Sequence, residues 1–203
     1  MTGSEQDRVQ AIYDEFAKTY DEHYASKAFQ EEDVDLFKIL SPWVKGKVLD
    51  LGCGTGLTLS YNNIPTEDYL GVDPSAGMLE KLTAKFPKHI VVNSTFEQWD
   101  KAQPEGVFDT ILGLYGAPSY FDKESYGRVL ERLSPKGHYF LMFYKPGYFP
   151  AHIYTPEDIE AAKARIDYDL INSTFETTFI FTSYLVATNI PKEFLPLSNR
   201  SYS

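Results

Sequence analysis

The chain has 203 residues, a formal net charge of −10 and a hydrophobic content of 43%. This composition is typical of one globular domain with a full hydrophobic core. The acidic balance argues against DNA, RNA or an anionic membrane as a partner, because phosphate binding relies on clustered lysine and arginine. Cys53 is the one cysteine, which excludes an internal disulfide and a cysteine-based zinc site and favours a reducing compartment, the cytoplasm.

Neither a membrane span nor a secretory signal is expected. No apolar run reaches the roughly 20 residues that cross a bilayer. The opening residues, MTGSEQDRVQ, lack a basic start followed by an apolar stretch. No group of histidine and carboxylate residues has the spacing of metal ligands, so no metal is expected.

The N-terminal part is predicted to be helical. Apolar residues recur at three- and four-residue spacing over 5–24, which indicates an amphipathic helix. A second helix is expected over 31–40, because Ser41-Pro42 follows and proline disfavours helical backbone in the residue before it.

Strands and helices are then predicted to alternate. The expected strands are 47–51, 69–73, 90–93, 107–112 and 139–144, and the expected helices follow Gly56, run from Pro74 to about Phe86, lie near 123–133 and cover 155–165. The segment 169–189 is rich in β-branched and aromatic residues, which predicts two strands. This order implies an α/β fold with a mostly parallel sheet, helices on both faces and one antiparallel strand at the end.

The sequence VLDLGCGTG at 48–56 is the most informative stretch. Three glycines in five positions allow the backbone to approach a ligand closely. Asp73 follows Gly52 at about the distance at which Rossmann-like units place a ribose-binding acid. Leu57 stands where dinucleotide enzymes have a third glycine, and Leu57-Thr58 replaces the Lys-Ser/Thr of a P-loop. The loop is therefore poorly suited to NAD or to nucleoside triphosphates.

VLDLGCGTG and the later GVDPSAGML closely resemble the class I S-adenosylmethionine-dependent methyltransferases. The resemblance implies a Rossmann-like sheet of seven strands and S-adenosylmethionine as cofactor, with S-adenosylhomocysteine as product. It implies that Asp73 holds the ribose, that Asp50 orients the loop and the cofactor's amino group, and that the loop at 93–97 contacts the adenine. The predicted cofactor contacts are Tyr13, Tyr20, Asp50, Gly52, Cys53, Gly54, Thr55, Gly56, Asp73, Pro74, Met78, Thr95, Phe96, Glu97, Leu114 and Tyr115.

The segment from Tyr13 to Asp21 also resembles a family signature, Tyr-Asp-x-x-Ala-x-x-Tyr-Asp, which precedes the core of many small-molecule methyltransferases. The resemblance implies a helical lid whose tyrosines, Tyr13 and Tyr20, contact cofactor or substrate. The alternative is an amphipathic helix that packs its aromatic residues on the edge of the sheet.

The fourth predicted loop, 113–121, lacks the Asp/Asn-Pro-Pro-Tyr/Phe motif of enzymes that methylate amines of nucleic-acid bases. Aromatic residues after the fifth strand form either a substrate wall, including an amine cage, or a capping hydrophobic cluster. These residues are Tyr144, Tyr148, Phe149 and Tyr154. His23 and His152 are candidate general bases, with a surface role as the alternative. The predicted catalytic residues are Tyr20, Tyr115 and His152.

The predicted function is methyl transfer from S-adenosylmethionine to a nitrogen or oxygen of a small molecule by in-line displacement. Two alternatives stay open: methylation of a protein or nucleic acid, and a non-catalytic S-adenosylmethionine-binding module. The predicted organisation is a lid segment at 1–45, a cofactor-binding core at 46–189 and a C-terminal tail at 190–203. The oligomeric state is not predicted.

Overall fold

The computed structural model describes residues 3–103, 105–150, 152–155 and 166–196. A seven-stranded sheet lies at its centre. The strands in chain order are β1 Val48–Leu51, β2 Tyr69–Asp73, β3 Ile90–Asn93, β4 Phe108–Gly113, β5 Leu133–Tyr144, β6 Thr177–Phe181 and β7 Tyr184–Thr188. Their order across the sheet is β3-β2-β1-β4-β5-β7-β6. Strands β1 to β5 pair in parallel, and β7 runs antiparallel between β5 and β6. The predicted α/β architecture is confirmed.

Helices cover both faces of this sheet. They are α1 Gly3–Phe16, α2 Tyr20–His23, α3 Lys27–Leu40, α4 Leu57–Tyr61, α5 Ala76–Lys85, α6 Phe96–Ala102, α7 Ser125–Glu131 and α8 Tyr168–Thr174. Short 3-10 turns lie at Ser41–Trp43, Thr66–Asp68, Ala117–Tyr120 and Lys192–Phe194. Two buried clusters form the core: one holds side chains of α3 and α5, and the other holds side chains of α6, α7 and α8. No helix in the described ranges is long and apolar enough to cross a membrane.

The predicted single helix over 5–24 is wrong, because the chain turns at Ala17–Thr19. Lys18 and Thr19 donate their backbone N–H groups to carbonyls three residues earlier, as in a tight turn. Ala17 is buried at this turn. The turn redirects the chain so that Tyr20 and Asp21 begin a new helix, α2, above the glycine loop.

The prediction of strand at the start of 169–189 is also wrong, since α8 occupies Tyr168–Thr174. The Asp167 carboxylate accepts the Leu170 N–H at 2.9 Å and so caps the helix, and Ile171 is fully buried. Capping and burial outweigh the β propensity of the segment. Strands β6 and β7 then form the predicted antiparallel pair.

Other differences concern element bounds. The predicted loop at 93–99 contains α6, whose first residue follows a capping box between Thr95 and Gln98. Strand β5 begins at Leu133 rather than at Tyr139, with a register irregularity opposite Phe108 and Thr110. The predicted helix over 155–165 lies almost wholly outside the described residues. The domain boundaries at 45/46 and 189/190 stay predictions.

Candidate active site

A cavity of about 460 Å³ lies at the carboxyl ends of the parallel strands. This is the edge where open α/β sheets bind ligands, and the volume is in the range of small-molecule sites. The predicted site residues that line it are Tyr13, Tyr20, Asp50, Gly52, Cys53, Gly54, Thr55, Asp73, Pro74, Met78, Thr95, Phe96, Glu97, Leu114, Tyr115 and His152. Gly56 and His23 were also predicted for the site, but neither lines this cavity.

The glycines of the first loop have different structural roles. Gly52 has a φ of +71°, and a Cβ there would lie 2.3 Å from the Cβ of Ala117. Gly56 has a φ of +90°, and a Cβ there would lie 3.1 Å from both Leu82 and Phe86 of the α5 region. Gly56 thus allows close packing of the loop against α5, and its predicted contact with the cofactor stays a prediction.

Asp73 orders the loops on both sides of it. Its Oδ2 accepts the Gly54 N–H at 2.9 Å and its Oδ1 accepts the Ser75 N–H at 2.8 Å. Burial raises the pKa of Asp73 to about 6, although these two hydrogen bonds favour the charged form. One carboxylate thus connects the glycine loop after β1 with the loop after β2.

Asp50 is a second buried acid at the cavity, and its side chain is 2% exposed. Its Oδ2 accepts the hydroxyl of Tyr69 at 2.9 Å. Burial raises the pKa of Asp50 to about 6, while hydrogen bonds from Thr58 and Tyr69 oppose the rise. The β1–β2 side of the cavity is therefore acidic.

The predicted adenine contacts lie at the start of α6. Phe96 lines the cavity and also packs on Phe121, with ring centroids 5.2 Å apart, so it belongs to the core as well. Glu97 accepts the Asp122 N–H at 2.9 Å. Thr95 accepts the Gln98 N–H as the cap of α6. These contacts hold the side chains in place at the edge of the cavity.

Two aspartates attach the N-terminal helices to the loops around the cavity. Asp14 Oδ1 accepts the Ser75 hydroxyl at 2.6 Å and the Gly77 N–H at 3.0 Å. Asp21 Oδ1 accepts the Thr55 hydroxyl at 2.6 Å, and its Oδ2 accepts a hydrogen bond from Lys85 Nζ at 3.0 Å. The two aspartates of the Tyr-Asp-x-x-Ala-x-x-Tyr-Asp segment therefore attach α1 and α2 to the loops around the cavity.

The remaining positions of that segment also have a physical role. A Cβ on Gly77 would lie 2.9 Å from the Asp14 carbonyl and 3.2 Å from the Cβ of Ala17, so both residues must be small. Tyr13 and Tyr20 line the cavity. The segment therefore covers one side of the cavity with Tyr13 and Tyr20 in its lining, and its role as a lid stays a prediction.

We expect Asp14→Ala to release this cover. The two lost charge-assisted hydrogen bonds should increase the population of the detached state about tenfold or more. Limited trypsin digestion after Lys18 should speed up correspondingly, because cleavage follows the open population when reclosing is fast. Glu22→Gln is the matched control, since Glu22 is exposed and takes no part in the ion pair between Glu15 and Lys18. Equal cleavage rates in both variants would contradict the attachment by Asp14.

Tyrosines form the wall beside β5. The hydroxyls of Tyr120 and Tyr144 lie 3.0 Å apart, and the Tyr13 ring meets the Tyr120 ring edge-on at 6.2 Å. Burial raises the pKa of all three phenols, so they stay neutral at physiological pH. They can offer hydrogen bonds to a ligand but no charge.

The three predicted catalytic residues all reach the cavity, in different settings. Tyr115 has a φ of +48° and donates its hydroxyl to Asp33 at 2.5 Å. Tyr20 is half-buried against Phe16 and Tyr24, and desolvation raises its pKa. His152 packs on the ring of Phe16 at 4.9 Å. Burial and the neighbouring His23 lower the pKa of His152, which keeps the imidazole neutral and able to accept a proton.

Sequence reasoning missed two acids of α3, Glu32 and Asp33, which also line the cavity. A signal for Asp33 was present. Leu36, Phe37 and Leu40 are buried on α3, and residue 33 precedes them at helical spacing. A charged residue on the apolar stripe of a helix is a reason to look for a site.

Residues 48–137 match the family model of the methyltransferase domain. The chain is 32% identical over 132 residues to the demethylmenaquinone methyltransferase of Lactococcus lactis, covering 59% of this chain and 52% of that protein. It is 33% identical over 113 residues to methyltransferase-like protein 27 of Homo sapiens, covering 53% of this chain and 46% of that protein. The chain thus spans about half the length of these curated relatives.

Solved structures share the fold. A SAM-dependent methyltransferase of Leishmania major superposes with a TM-score of 0.59 at 15% identity, covering 90% of this chain and 80% of that one. A TehB-like SAM-dependent methyltransferase of Corynebacterium glutamicum gives a TM-score of 0.50 at 17% identity, covering 85% and 96%. Residues 48–137 thus resemble a methyltransferase domain, and the chain shares its fold with SAM-dependent methyltransferases of known structure.

Proposed function

We propose that this protein transfers a methyl group from S-adenosylmethionine to a small-molecule acceptor. The observation that carries the proposal is the Asp73 carboxylate. It is 8% exposed, lines the cavity and holds the glycine loop through Gly54. An acid at the end of β2, beside a glycine loop after β1, is the arrangement by which Rossmann-like units hold a ribose.

The cavity residues fit this cofactor. Gly54 lines the cavity, and a Cβ built on it would have no neighbour closer than 4.0 Å, so a ligand can lie directly on the loop. The Asp50 and Asp73 carboxylates favour a positively charged ligand on this side. We assign the ribose to Asp73, the methionine part to the glycine loop with Asp50 and Thr55, and the adenine to Thr95, Phe96 and Glu97.

Bound S-adenosylmethionine supplies an electrophilic methyl group, so the chain mainly has to bind, align and exclude water. In this proposal α1 and α2, which Asp14 and Asp21 attach beside the cavity, act as a lid that limits the access of water to the bound cofactor. The walls around Tyr115 and Tyr144 can hold an acceptor in line at near-attack distance. The neutral imidazole of His152 can take up the proton that the acceptor releases.

A thermal-shift titration with S-adenosylmethionine, S-adenosylhomocysteine and NAD tests the cofactor. At about a hundredfold excess over Kd, a ligand of the native state should raise the midpoint by roughly 5–10 °C. We expect this shift with the first two compounds and none with NAD. Absence of any shift would contradict the proposal. Formation of S-adenosylhomocysteine with a panel of small amines, alcohols and thiols then tests the transfer itself.

The covered cavity favours a small acceptor over a protein or nucleic acid, whose reactive group would need an open site. Binding of the cofactor without turnover on any acceptor would instead support a non-catalytic module. We also propose that the protein works in a reducing compartment, the cytoplasm. The buried Cys53 supports this, since burial raises the pKa of its thiol and keeps it uncharged.

A further inference from the structure

The half of the cavity next to β4, β5 and β7 is lined by tyrosine side chains. Tyr115 follows β4, Tyr148 follows β5, and Tyr184 begins β7 at the same edge, where it pairs with Tyr144. The Tyr184 ring lies 5.5 Å from the Tyr115 ring and 6.2 Å from the Tyr148 ring. These residues are separate from the glycine loop and Asp73, so this half is available for the acceptor.

Two carboxylates of α3 complete this half. Asp33 accepts the Tyr115 hydroxyl at 2.5 Å, and Glu32 accepts the Thr182 hydroxyl at 3.1 Å. Both side chains are partly buried, whereas their neighbours Glu31 and Asp35 are exposed. Glu32 is close enough to Tyr115, Tyr148 and Tyr184 to affect their titration. The acids and the tyrosine rings therefore form one group.

The positive charge that would balance these acids is missing from the described lining. Lys85 is the one lysine or arginine among the described residues around the cavity, and it pairs with Asp21. The hydrogen-bond partners of Glu32 and Asp33 are uncharged hydroxyls. Burial raises the pKa of both carboxyls, which shows that the protein compensates their charge incompletely.

A cation fits this setting better than a neutral or anionic group. Partly buried carboxylates without a positive partner gain from an ammonium ion that donates hydrogen bonds to them. Tyrosine faces add cation–π attraction to the same group. A ligand gains both the hydrogen bonds to the carboxylates and the cation–π attraction only if its positive charge lies on a nitrogen that carries hydrogen.

We propose that the methyl acceptor is a small-molecule amine, bound as its ammonium ion by Glu32 and Asp33 among the rings of Tyr115, Tyr148 and Tyr184. The inference rests on the proposed methyltransferase function. Before transfer, one proton passes from the ammonium to the neutral imidazole of His152, which lines the same cavity. The nitrogen lone pair then forms the N–CH₃ bond while the methyl–sulfur bond breaks and its electron pair stays on sulfur. The product is a methylated ammonium ion and S-adenosylhomocysteine.

The test compares phenethylamine with 2-phenylethanol, which has a neutral hydroxyl in place of the ammonium group, by calorimetric titration of protein saturated with S-adenosylhomocysteine. The wild type should bind the amine at least about tenfold more tightly than the alcohol. The double variant Glu32→Gln, Asp33→Asn should lose this preference. The matched control, Glu31→Gln with Asp35→Asn on the same helix, should keep it.

The proposal is overturned if the wild type binds neither phenethylamine nor any methylated or smaller amine more tightly than the corresponding alcohol. It is equally overturned if the preference survives in the double variant. Binding of S-adenosylhomocysteine is measured first on every variant. Failure of that step in the wild type contradicts the methyltransferase function, whereas normal binding without an amine preference contradicts only the present inference.

Discussion

Replacing Asp73 with asparagine should weaken the binding of S-adenosylmethionine by about a hundredfold or more. The carboxylate accepts backbone N–H groups of Gly54 and Ser75, and the proposed ribose hydroxyls would bind to the same oxygens. The asparagine side chain keeps one oxygen as an acceptor. Its NH₂ group replaces the other oxygen and faces a backbone N–H or a hydroxyl that is itself a donor. Isothermal titration calorimetry gives the affinity, and circular dichroism shows whether the fold is retained.

Asp35→Asn is the control for this variant, because Asp35 is exposed and pairs with Lys38 on the surface of α3. The wild-type affinity should fall as the pH falls through about 6, where the raised pKa of Asp73 lets the carboxyl take up a proton. Asp73→Asn should retain only the share of this dependence due to Asp50, whose pKa is also raised to about 6. An affinity close to that of the wild type would remove Asp73 from the cofactor site.

Asp100→Ala should lower the free energy of unfolding by about 3–5 kcal/mol, because it leaves the buried Arg132 without its partner. The side chains of Asp100 and Arg132 are 3% and 4% exposed. Arg132 Nε donates to Asp100 Oδ1 at 2.6 Å and Nη2 donates to the Asp100 carbonyl at 2.9 Å, while the guanidinium lies 5.2 Å from the Trp99 ring centroid. This network joins α6 to the end of α7. Unfolding in urea measures the effect.

Arg128→Ala provides the comparison, since Arg128 contacts the same Asp100 carboxylate from a position that is 49% exposed. Solvent screening should keep its effect near or below about 1 kcal/mol. If Asp100→Ala costs no more than Arg128→Ala, the buried pair does not stabilise the fold in the way that its geometry indicates.

The central fold was predictable because its signals are local. Apolar runs separated by glycine and proline turns predicted β1 to β4 within about a residue, and the predicted strand at 139–144 covers the second half of β5. The turn at Ala17–Thr19 and helix α8 were not predicted, because both depend on partners elsewhere. Ala17 packs on Gly77, and Ile171 of α8 is buried in the core beside the sheet. A segment's own propensity is a weak guide where tertiary burial decides.

The candidate site also has one part that was predictable from the sequence and one part that was not. By itself the sequence predicted the proposed cofactor half, because a glycine loop and its acid are constrained by the backbone and occupy two short stretches, 48–56 and 71–79. Only the tertiary structure decided the proposed acceptor half. There Asp33 meets Tyr115 across 82 positions and Glu32 meets Thr182 across 150. Such contacts leave no local pattern, because the sheet order brings α3, β4 and β7 to one edge, and only their packing places two helix carboxylates at the cavity.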